Sequence, residues 1–276
     1  MAKRKRPSRP HKTAKHSSEK RRSASSSGFT DGGKIWLYGN HAVMAALGNP
    51  RRPKFRLLVN KNWRDGTAVF AEAGDLTIQP EIIDQQEMEK ILPPGAVHQG
   101  LALQTASLPA AELEDLFALQ DEDSAVVVML DQVTDPRNMG AIMRSAAAFG
   151  AAALIVPDRH SPEATAVLAK AASGALDRLP LIRVNNLSRA LDQLKDYGFW
   201  MIGLDGTGEK TLEETDLGGK TALILGAEGK GLRRLTAEKC DFLIRIPIDA
   251  QAGSLNVSAA AAIALYEIAR KPGWSA

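Results

Sequence analysis

The sequence predicts an α/β protein whose C-terminal part is a parallel β-sheet with helices on both faces. A continuous apolar run at 125–130 is typical of a strand buried on both sides, as the strands of parallel sheets are. From that run to the C-terminal end, strand and helix patterns alternate, which favours strand–helix–strand units. Loops rich in glycine and polar residues follow several of these strands, at the edge where such sheets bind ligands.

The chain of 276 residues suits one large or two modest domains, and its charge is unevenly divided. Residues 1–30 hold ten Lys or Arg and one acid, Glu19, which gives +9; the remainder holds 25 basic and 31 acidic residues, which gives −6. We expect residues 1–33 to be a disordered basic tail, because they bury too little apolar surface to offset the entropy of ordering. Such a tail either binds a polyanion, with RNA as the expected target, or only aids solubility.

A small α/β unit is predicted at 34–105, followed by a linker at 106–123 that contains Pro109 and several acids. Apolar residues at strand and helix spacing define its elements. At about 70 residues, the unit is large enough to fold alone. The predicted strands are 35–37, 55–59, 76–78 and 100–103, and the predicted helices are 41–47, 68–73 and 85–91.

The second unit, 124–276, carries the parallel sheet. Its apolar runs are short and are separated by helical patterns, so we expect each strand to be followed by a helix that covers one face. The predicted strands are 125–130, 152–156, a short apolar segment at 179–184, 199–204, 221–225 and 242–248, and the predicted helices are 138–149, 163–172, 187–197 and 254–270.

Composition disfavours several classes of protein. No apolar run reaches the ~18 residues that span a bilayer, and the basic N-terminus lacks the apolar stretch of a secretory signal. The single cysteine, Cys240, excludes an internal disulfide framework and a multi-cysteine zinc site. We therefore expect a cytoplasmic protein with no membrane and no metal among its partners.

The first segment that carries chemistry is the loop and helix after the first strand of the second unit. Asp135 is expected to cap the helix, with Pro136 at its first position, where a missing N–H is harmless. No capping role of this kind is expected for Asn138 or Arg144. Gly140 and two alanines share the helical face of Arg144, so a substrate or another backbone can approach its guanidinium; a surface ion pair is the alternative.

In the second segment, three glycines in six residues follow the predicted strand at 221–225 and permit positive φ and close approach of a ligand. A phosphate-binding loop of the Gly-x-x-x-x-Gly-Lys-Ser/Thr type is the alternative interpretation. The spacing does not match it, because the Gly-Lys at 229–230 would need glycine at 224 and Ser or Thr at 231. Residues 203–211 come close to the same phosphate-binding pattern, but Glu209 stands between the glycine and the lysine. No Gly-x-Gly-x-x-Gly follows the first strand either, so ATP and NAD are disfavoured.

The third segment joins a strand that contains Pro247 to the last predicted helix. Ser254 is expected to cap this helix. Asn256, expected in the first helical turn, is a poor helix former whose amide is free to bind another group. The alanine run at 259–262 permits close packing of a helix or of a partner subunit.

The three segments resemble, in order and spacing, the motifs of the SpoU (TrmH-type) RNA ribose 2′-O-methyltransferases of the SPOUT class. The family pattern is roughly Asp-Pro-x-Asn-x-Gly-Ala-x-x-Arg, then Gly-x-Glu-x-x-Gly, then a strand with proline and Ser-Leu-Asn-Val-Ser. It is matched by 135–144, 226–231, and Pro247 with 254–258. Residues 38–43 and 97–100 are similar to the two ends of the family's small substrate-binding domain. The combination is most similar to the branch that modifies a guanosine of 23S ribosomal RNA.

The resemblance implies a deep trefoil knot in the C-terminal domain, which general topology rules would reject, and a homodimer with active sites at the interface. It implies S-adenosylmethionine as methyl donor and credits Arg144 with activating the ribose hydroxyl, as base, orienter or charge stabiliser. Asn138, Glu228, Ser254 and Asn256 would position Arg144, the ribose or an RNA phosphate. The residues whose backbone would hold the cofactor are Leu204, Gly206, Leu225, Gly226, Gly229, Ile246, Ile248 and Leu255.

Three other functions stay open. Transfer RNA is an alternative substrate for the same reaction. A catalytically silent RNA-binding or assembly factor is a second alternative, although a pure binder would not need Asn138, Arg144, Glu228 and Asn256. A nucleoside triphosphatase is the third and is weakened by both failed spacings.

Overall fold

The computed structural model describes residues 34–63, 70, 78–119, 122–159, 161–163, 165–215 and 219–271. The predicted basic tail lies outside the described residues. Of the predicted helix at 68–73 only Phe70 is described, and of the predicted strand at 76–78 only Ile78, which is not in a strand.

The N-terminal unit is a four-stranded sheet of order β1-β4-β2-β3, in which β4 pairs antiparallel with β1 and β2, and β3 pairs parallel with β2. Strand β3 was not predicted, because its first residue is Pro80, and proline is tolerated there only since the strand lies at the sheet edge. The elements are β1 (Lys34–Tyr38), α1 (Asn40–Gly48), β2 (Lys54–Asn60), β3 (Pro80–Ile83), α2 (Gln85–Ile91) and β4 (Leu101–Ala106).

The C-terminal unit confirms the predicted parallel sheet. Its seven strands are all paired in parallel, in the order β7-β6-β5-β10-β8-β11-β9. The deep knot implied by the resemblance stays a prediction. The elements are β5 (Ala125–Asp131), α3 (Pro136–Ala148), β6 (Ala153–Pro157), α4 (Ala166–Ala172), β7 (Leu181–Val184), α5 (Leu187–Asp196), β8 (Trp200–Leu204), β9 (Lys210–Thr211), β10 (Lys220–Gly226), α6 (Arg234–Ala237), β11 (Phe242–Arg245) and α7 (Val257–Ala269).

Strand β5 shows why the apolar run at 125–130 is continuous. Val126 and Val128 belong to one hydrophobic cluster, and Val127 and Met129 belong to another on the opposite face of the sheet. Side chains alternate between the two faces of a strand, so a strand covered on both sides needs an apolar residue at every position. The carboxyl end of this strand is thereby held in a rigid layer.

Two predicted boundaries near the C-terminal end are wrong. The last strand ends at Arg245, not at residue 248, because Pro247 has no N–H to donate to a ladder. The last helix begins at Val257 because Asn256 is its N-cap. The two-residue β9 and the four-residue α6 are too short to give a periodic signal in the sequence.

The two units pack directly against each other. The side chains of Arg52 and Asp177 form an ion pair that is almost completely buried between them, and a Cβ added to Gly174 would lie 2.8 Å from the carbonyl oxygen of His41. The predicted linker contains a 3₁₀ helix, Leu113–Leu119, whose leucine at 116 is buried. The boundaries at 105 and 124 stay a prediction, and the segment between them is docked on the second unit.

Candidate active site

The candidate site lies at the carboxyl edge of the large sheet. Strands β5, β10, β8 and β11 are consecutive neighbours and run parallel, so the loops that follow them leave from the same edge. These loops carry all three segments singled out in the sequence. The fold therefore brings together motifs that are far apart along the chain.

Three predicted site residues form one hydrogen-bonded cluster, one from each segment. Asn256 donates from Nδ2 to Asn138 Oδ1 over 3.0 Å, and Asn138 donates from Nδ2 to Glu228 Oε2 over 3.3 Å. A longer contact of 3.5 Å joins Asn256 Nδ2 to Glu228 Oε1. Two amides thus orient one exposed carboxylate.

Helix caps hold the two helix ends that carry Asn138 and Asn256. Asp135 accepts from the backbone N–H of Arg137 over 2.8 Å, with Pro136 at the first helical position, as expected. Asn256 Oδ1 accepts from the backbone N–H of Ser258 over 2.9 Å and so caps α7. The prediction that Ser254 caps this helix is wrong.

Asn256 caps α7 because it immediately precedes Val257, the first helical residue. Ser254 lies two residues further from the helix. Ser254 is exposed, and within the described part of the chain its side chain makes no hydrogen bond. The structure does not join it to the cluster. Asn256, expected inside the first turn, lies one residue before the helix, where asparagine is among the preferred residues.

Arg144 lies on the exposed side of α3, and among the described residues it has no hydrogen bond and no ion pair. The alternative of a surface ion pair is therefore not observed. Gly140 does not open space beside Arg144: a Cβ there would lie 2.5 Å from Ala171 Cβ and 2.8 Å from the carbonyl oxygen of Leu168. The glycine serves the close packing of α3 on α4.

The glycine loop after β10 is a tight turn held by its own backbone. Ala227 and Gly231 exchange two backbone hydrogen bonds of 3.1 and 2.8 Å. Gly229 and Gly231 have φ of 77° and 67°, which glycine adopts without strain. A Cβ on Gly226 would lie 2.1 Å from the carbonyl carbon of Gly231, so glycine is required there by the turn itself.

Sequence reasoning missed Asp131, which anchors this loop. Its carboxylate is fully buried at the end of β5 and accepts from Arg233, from the backbone N–H over 3.0 Å and from Nε over 2.6 Å. The ion pair ties the far end of the glycine loop to the strand before Asn138. A carboxylate that ends an otherwise apolar buried strand is the signal that could have found it.

The predicted cofactor residues lie at the ends of β8 and β10 and in the loops that follow β8, β10 and β11. Leu225 and Gly226 are buried inside the sheet edge, whereas Gly206 and Gly229 are exposed, and no atom of the described part of the chain lies within 4 Å of a Cβ added to either. The remaining four are apolar side chains that are not fully covered: Leu204, Ile246, Ile248, which is 41% exposed, and Leu255. Uncovered apolar side chains beside open backbone suit a ligand with an apolar ring and polar edges, such as the adenosyl group of S-adenosylmethionine.

Other features of the described residues lie away from this edge. Two cavities of about 640 and 860 Å³ are found, one within the N-terminal unit and one between the two units. The described residues contain no group of three or more His, Cys, Asp and Glu that could hold a metal ion. None of the helices in the described ranges is both long and apolar enough to cross a membrane.

Comparisons with known proteins agree with this geometry. Residues 125–266 match the SpoU rRNA Methylase family, and residues 36–111 match the RNA 2′-O ribose methyltransferase substrate binding domain. The 23S rRNA (guanosine-2′-O-)-methyltransferase RlmB of Pasteurella multocida is 40% identical over 241 residues, which are 85% of this chain and 97% of that protein.

Two further similarities span both units. A tRNA/rRNA methyltransferase of Synechocystis is 39% identical over 86% of this chain, which spans 63% of the length of that protein. The crystal structure of the SpoU methyltransferase AviRb from Streptomyces viridochromogenes in complex with AdoMet superposes with a TM-score of 0.71 at 25% identity, covering 86% of this chain and 90% of that one.

Proposed function

The chain belongs to the SpoU methylase family, and from that premise we propose that it transfers a methyl group from S-adenosylmethionine to the ribose 2′-hydroxyl of a guanosine in 23S ribosomal RNA. The observation that carries the proposal is the cluster of Asn138, Glu228 and Asn256, which draws one polar residue from each of three separated motifs. Such a substrate gives the protein a cytoplasmic place of action.

The cofactor would be held by the backbone around Gly206, Gly226 and Gly229, with Ile248 and Leu255 against its apolar parts. When bound, it supplies a methyl group already activated on a sulfonium. The task left to the chain is alignment of the ribose oxygen, and the hydroxyl proton is released to the surrounding water as the oxygen–methyl bond forms. The oriented carboxylate of Glu228 accepts hydrogen bonds from a sugar hydroxyl, and the amides of the two asparagines keep its direction fixed.

Arg144 is assigned to orient the ribose hydroxyl and to stabilise the negative charge that develops on its oxygen. Arginine stays protonated in proteins, which makes it a poor proton acceptor and a good donor of paired hydrogen bonds. Its donors have no partner in the described part of the chain and are available to a substrate.

A homodimer is part of the proposal. Helix α7 carries a stripe of exposed apolar side chains, with Ile263 41% and Tyr266 56% exposed, and Tyr266 contacts the ring of Phe149 at the end of α3 edge-on. An uncovered apolar stripe on the helix beside α3 supports a partner subunit close to Arg144. Light scattering should find a dimer for the parent chain and for Ile82→Glu, an exposed change elsewhere, and a monomer for Ile263→Glu. A dimeric Ile263→Glu variant would contradict this interface.

The reaction is tested with methyl-labelled S-adenosylmethionine and transcripts of 23S ribosomal RNA and of transfer RNA. We expect label in the ribosomal transcript, mapped to one guanosine as a 2′-O-methyl group, and none in transfer RNA. Label only in transfer RNA would show that transfer RNA, and not ribosomal RNA, is the substrate. RNA binding without any methyl transfer would support a catalytically silent factor. Removal of residues 1–33 should lower RNA affinity and its salt dependence, because ten cations leave with them.

A further inference from the structure

Two motifs of the N-terminal unit that the catalytic site does not use meet in space. The turn 97–100 lies beside the start of α1, where Gln99 Oε1 accepts from the backbone N–H of Asn40 over 3.1 Å. Gln99 has a φ of 54°, in the left-handed region that residues other than glycine uncommonly adopt. A cavity of about 640 Å³ lies at this junction, a volume typical of small-molecule sites.

Two asparagines of this cavity use their acceptor atoms on the protein and keep their donors free. Asn40 Oδ1 accepts from Trp63 Nε1 over 3.1 Å, and Asn60 Oδ1 accepts from the backbone N–H of Asn62 over 2.8 Å. These bonds fix the direction of both amides. Among the described residues neither Nδ2 group has an acceptor, although Asn60 is only 7% exposed.

Gln99 and His98 repeat the pattern. Gln99 Oε1 is taken by Asn40, so its Nε2 group has no acceptor in the described ranges. His98 Nδ1 accepts from the backbone N–H of Gly100 over 3.1 Å, and burial lowers the pKa of this imidazole. The neutral ring therefore carries its proton on Nε2, and that donor also lacks a described partner, although His98 is only 8% exposed.

Four donors of fixed direction, without a partner among the described residues, therefore line one cavity, and they are available to acceptors of a ligand that displaces water from it. Glu89 also lines the cavity, and its carboxylate accepts hydrogen bonds and so needs donors from a ligand. Its Oε1 already accepts from Gln85 Nε2 over 2.8 Å. None of the described lining residues is Lys or Arg, which argues against a phosphate group.

We propose that this cavity binds an unpaired guanine base of the RNA substrate. Guanine carries the acceptors O6 and N7 on one edge and N–H donors on the adjacent edge, which matches four donors and one carboxylate. Adenine carries an amino group, a hydrogen-bond donor, where guanine carries the acceptor O6, so it fits a set of protein donors less well. The inference rests on the proposed function, because it takes RNA as the substrate, and it adds a second site of recognition in the N-terminal unit.

Asn60→Asp and Gln99→Glu test the proposal, because each keeps the oxygen that the protein uses and replaces only the free donor. Gln79→Glu adds the same charge at an exposed position outside the cavity and is the matched control. We expect each cavity variant to raise the KM for the 23S transcript about tenfold over the control, with kcat at saturating RNA nearly unchanged. A KM equal to that of Gln79→Glu for both variants would overturn the proposal.

The class of base is tested by titrating the full chain with the four nucleosides while the side-chain amide signals of Asn60 and Gln99 are followed by NMR. Guanosine should shift both signals, and adenosine should not. Equal shifts with all four nucleosides, or shifts with inorganic phosphate alone, would refute guanine recognition. The titration does not depend on methyl transfer, so an inactive chain that still binds guanosine would refute the proposed function and leave this site standing.

Discussion

Replacing Asn256 by aspartate should separate the folding role of this residue from its role in the site. Aspartate keeps an oxygen for the backbone N–H groups of Ser258 and Ala259, which Asn256 Oδ1 accepts over 2.9 and 3.4 Å. It loses the N–H donors that reach Asn138 and Glu228. In their place it sets a second carboxylate about 3.5 Å from the first.

The two effects differ in size. Asparagine and aspartate are about equally good N-caps, and a negative charge suits a helix N-terminus, so α7 should keep its stability within about 0.5 kcal/mol. Two carboxylates 3.5 Å apart repel by about 1 kcal/mol in water and by about 5 kcal/mol at the effective dielectric near a protein surface. Both residues are exposed, so the lower part of that range applies. With the lost hydrogen bonds the site should lose about 2–3 kcal/mol, which is roughly 30- to 150-fold in rate.

The assay is single-turnover methylation of saturating RNA, with thermal unfolding of the same samples. We expect Asn256→Asp to melt like the parent and to react slowly, whereas Asn256→Ala should be slow and also lose about 1 kcal/mol of stability with its cap. Parental rates for Asn256→Asp would refute the view that the amide cluster belongs to the active site. A large loss of stability in the same variant would show that the cluster supports the fold.

Four further predictions concern single side chains. Gly206→Val should weaken S-adenosylmethionine binding in calorimetry at least tenfold without loss of stability, because no atom of the described residues lies within 4 Å of an added Cβ; unchanged affinity would place the cofactor elsewhere. Arg144→Ala should slow transfer at least a hundredfold with cofactor affinity kept, and Arg144→Lys should be almost as slow if paired hydrogen bonds matter; rescue by lysine would favour simple charge stabilisation. Arg52→Met should cost about 3–5 kcal/mol in urea unfolding by leaving the buried carboxylate of Asp177, within the described ranges, with no cation and only the amide of Asn49 as a side-chain partner, and Asp177→Leu beside it should restore most of that. Cys240, whose pKa burial raises to about 12, should resist alkylation at pH 8 in the folded protein and react on unfolding, and rapid native labelling would contradict its burial.

The sequence was sufficient to predict the meeting of the three motifs. Each follows an apolar strand of a parallel sheet, and the carboxyl ends of such strands share one edge, so the pattern already places Asn138, Glu228 and Asn256 at the same edge. That the strands before them are neighbours is seen only in the strand order of the structure. The hydrogen bonds between them depend on side-chain directions that periodicity does not contain. The choice of Asn256 over Ser254 as cap depends on where α7 starts, and helix ends are the least certain feature of a sequence pattern.

Glycines were harder to interpret because the atom that excludes a side chain comes from elsewhere in the chain. Gly140 faces Ala171, and Gly226 faces the backbone of Gly231, so both are required by packing within the protein. Gly226→Val would therefore disturb the turn whether or not a cofactor binds beside it. Gly206 gives the cleaner test, and only the structure distinguishes the two.

The two recognition sites share one design, in which an amide side chain divides its two polar atoms between the protein and a second partner. Asn256 accepts from the start of α7 and donates into the cluster, and Asn60 accepts from a turn and leaves its donor at the cavity. The bond to the backbone fixes which way the amide points, so the free atom presents a defined donor before any ligand arrives. Rigid presentation of this kind lowers the entropy lost on binding. It follows that exchange of the amide for its carboxylate, as in Asn256→Asp or Asn60→Asp, alters recognition while the local fold is kept, and that truncation to alanine cannot make this distinction.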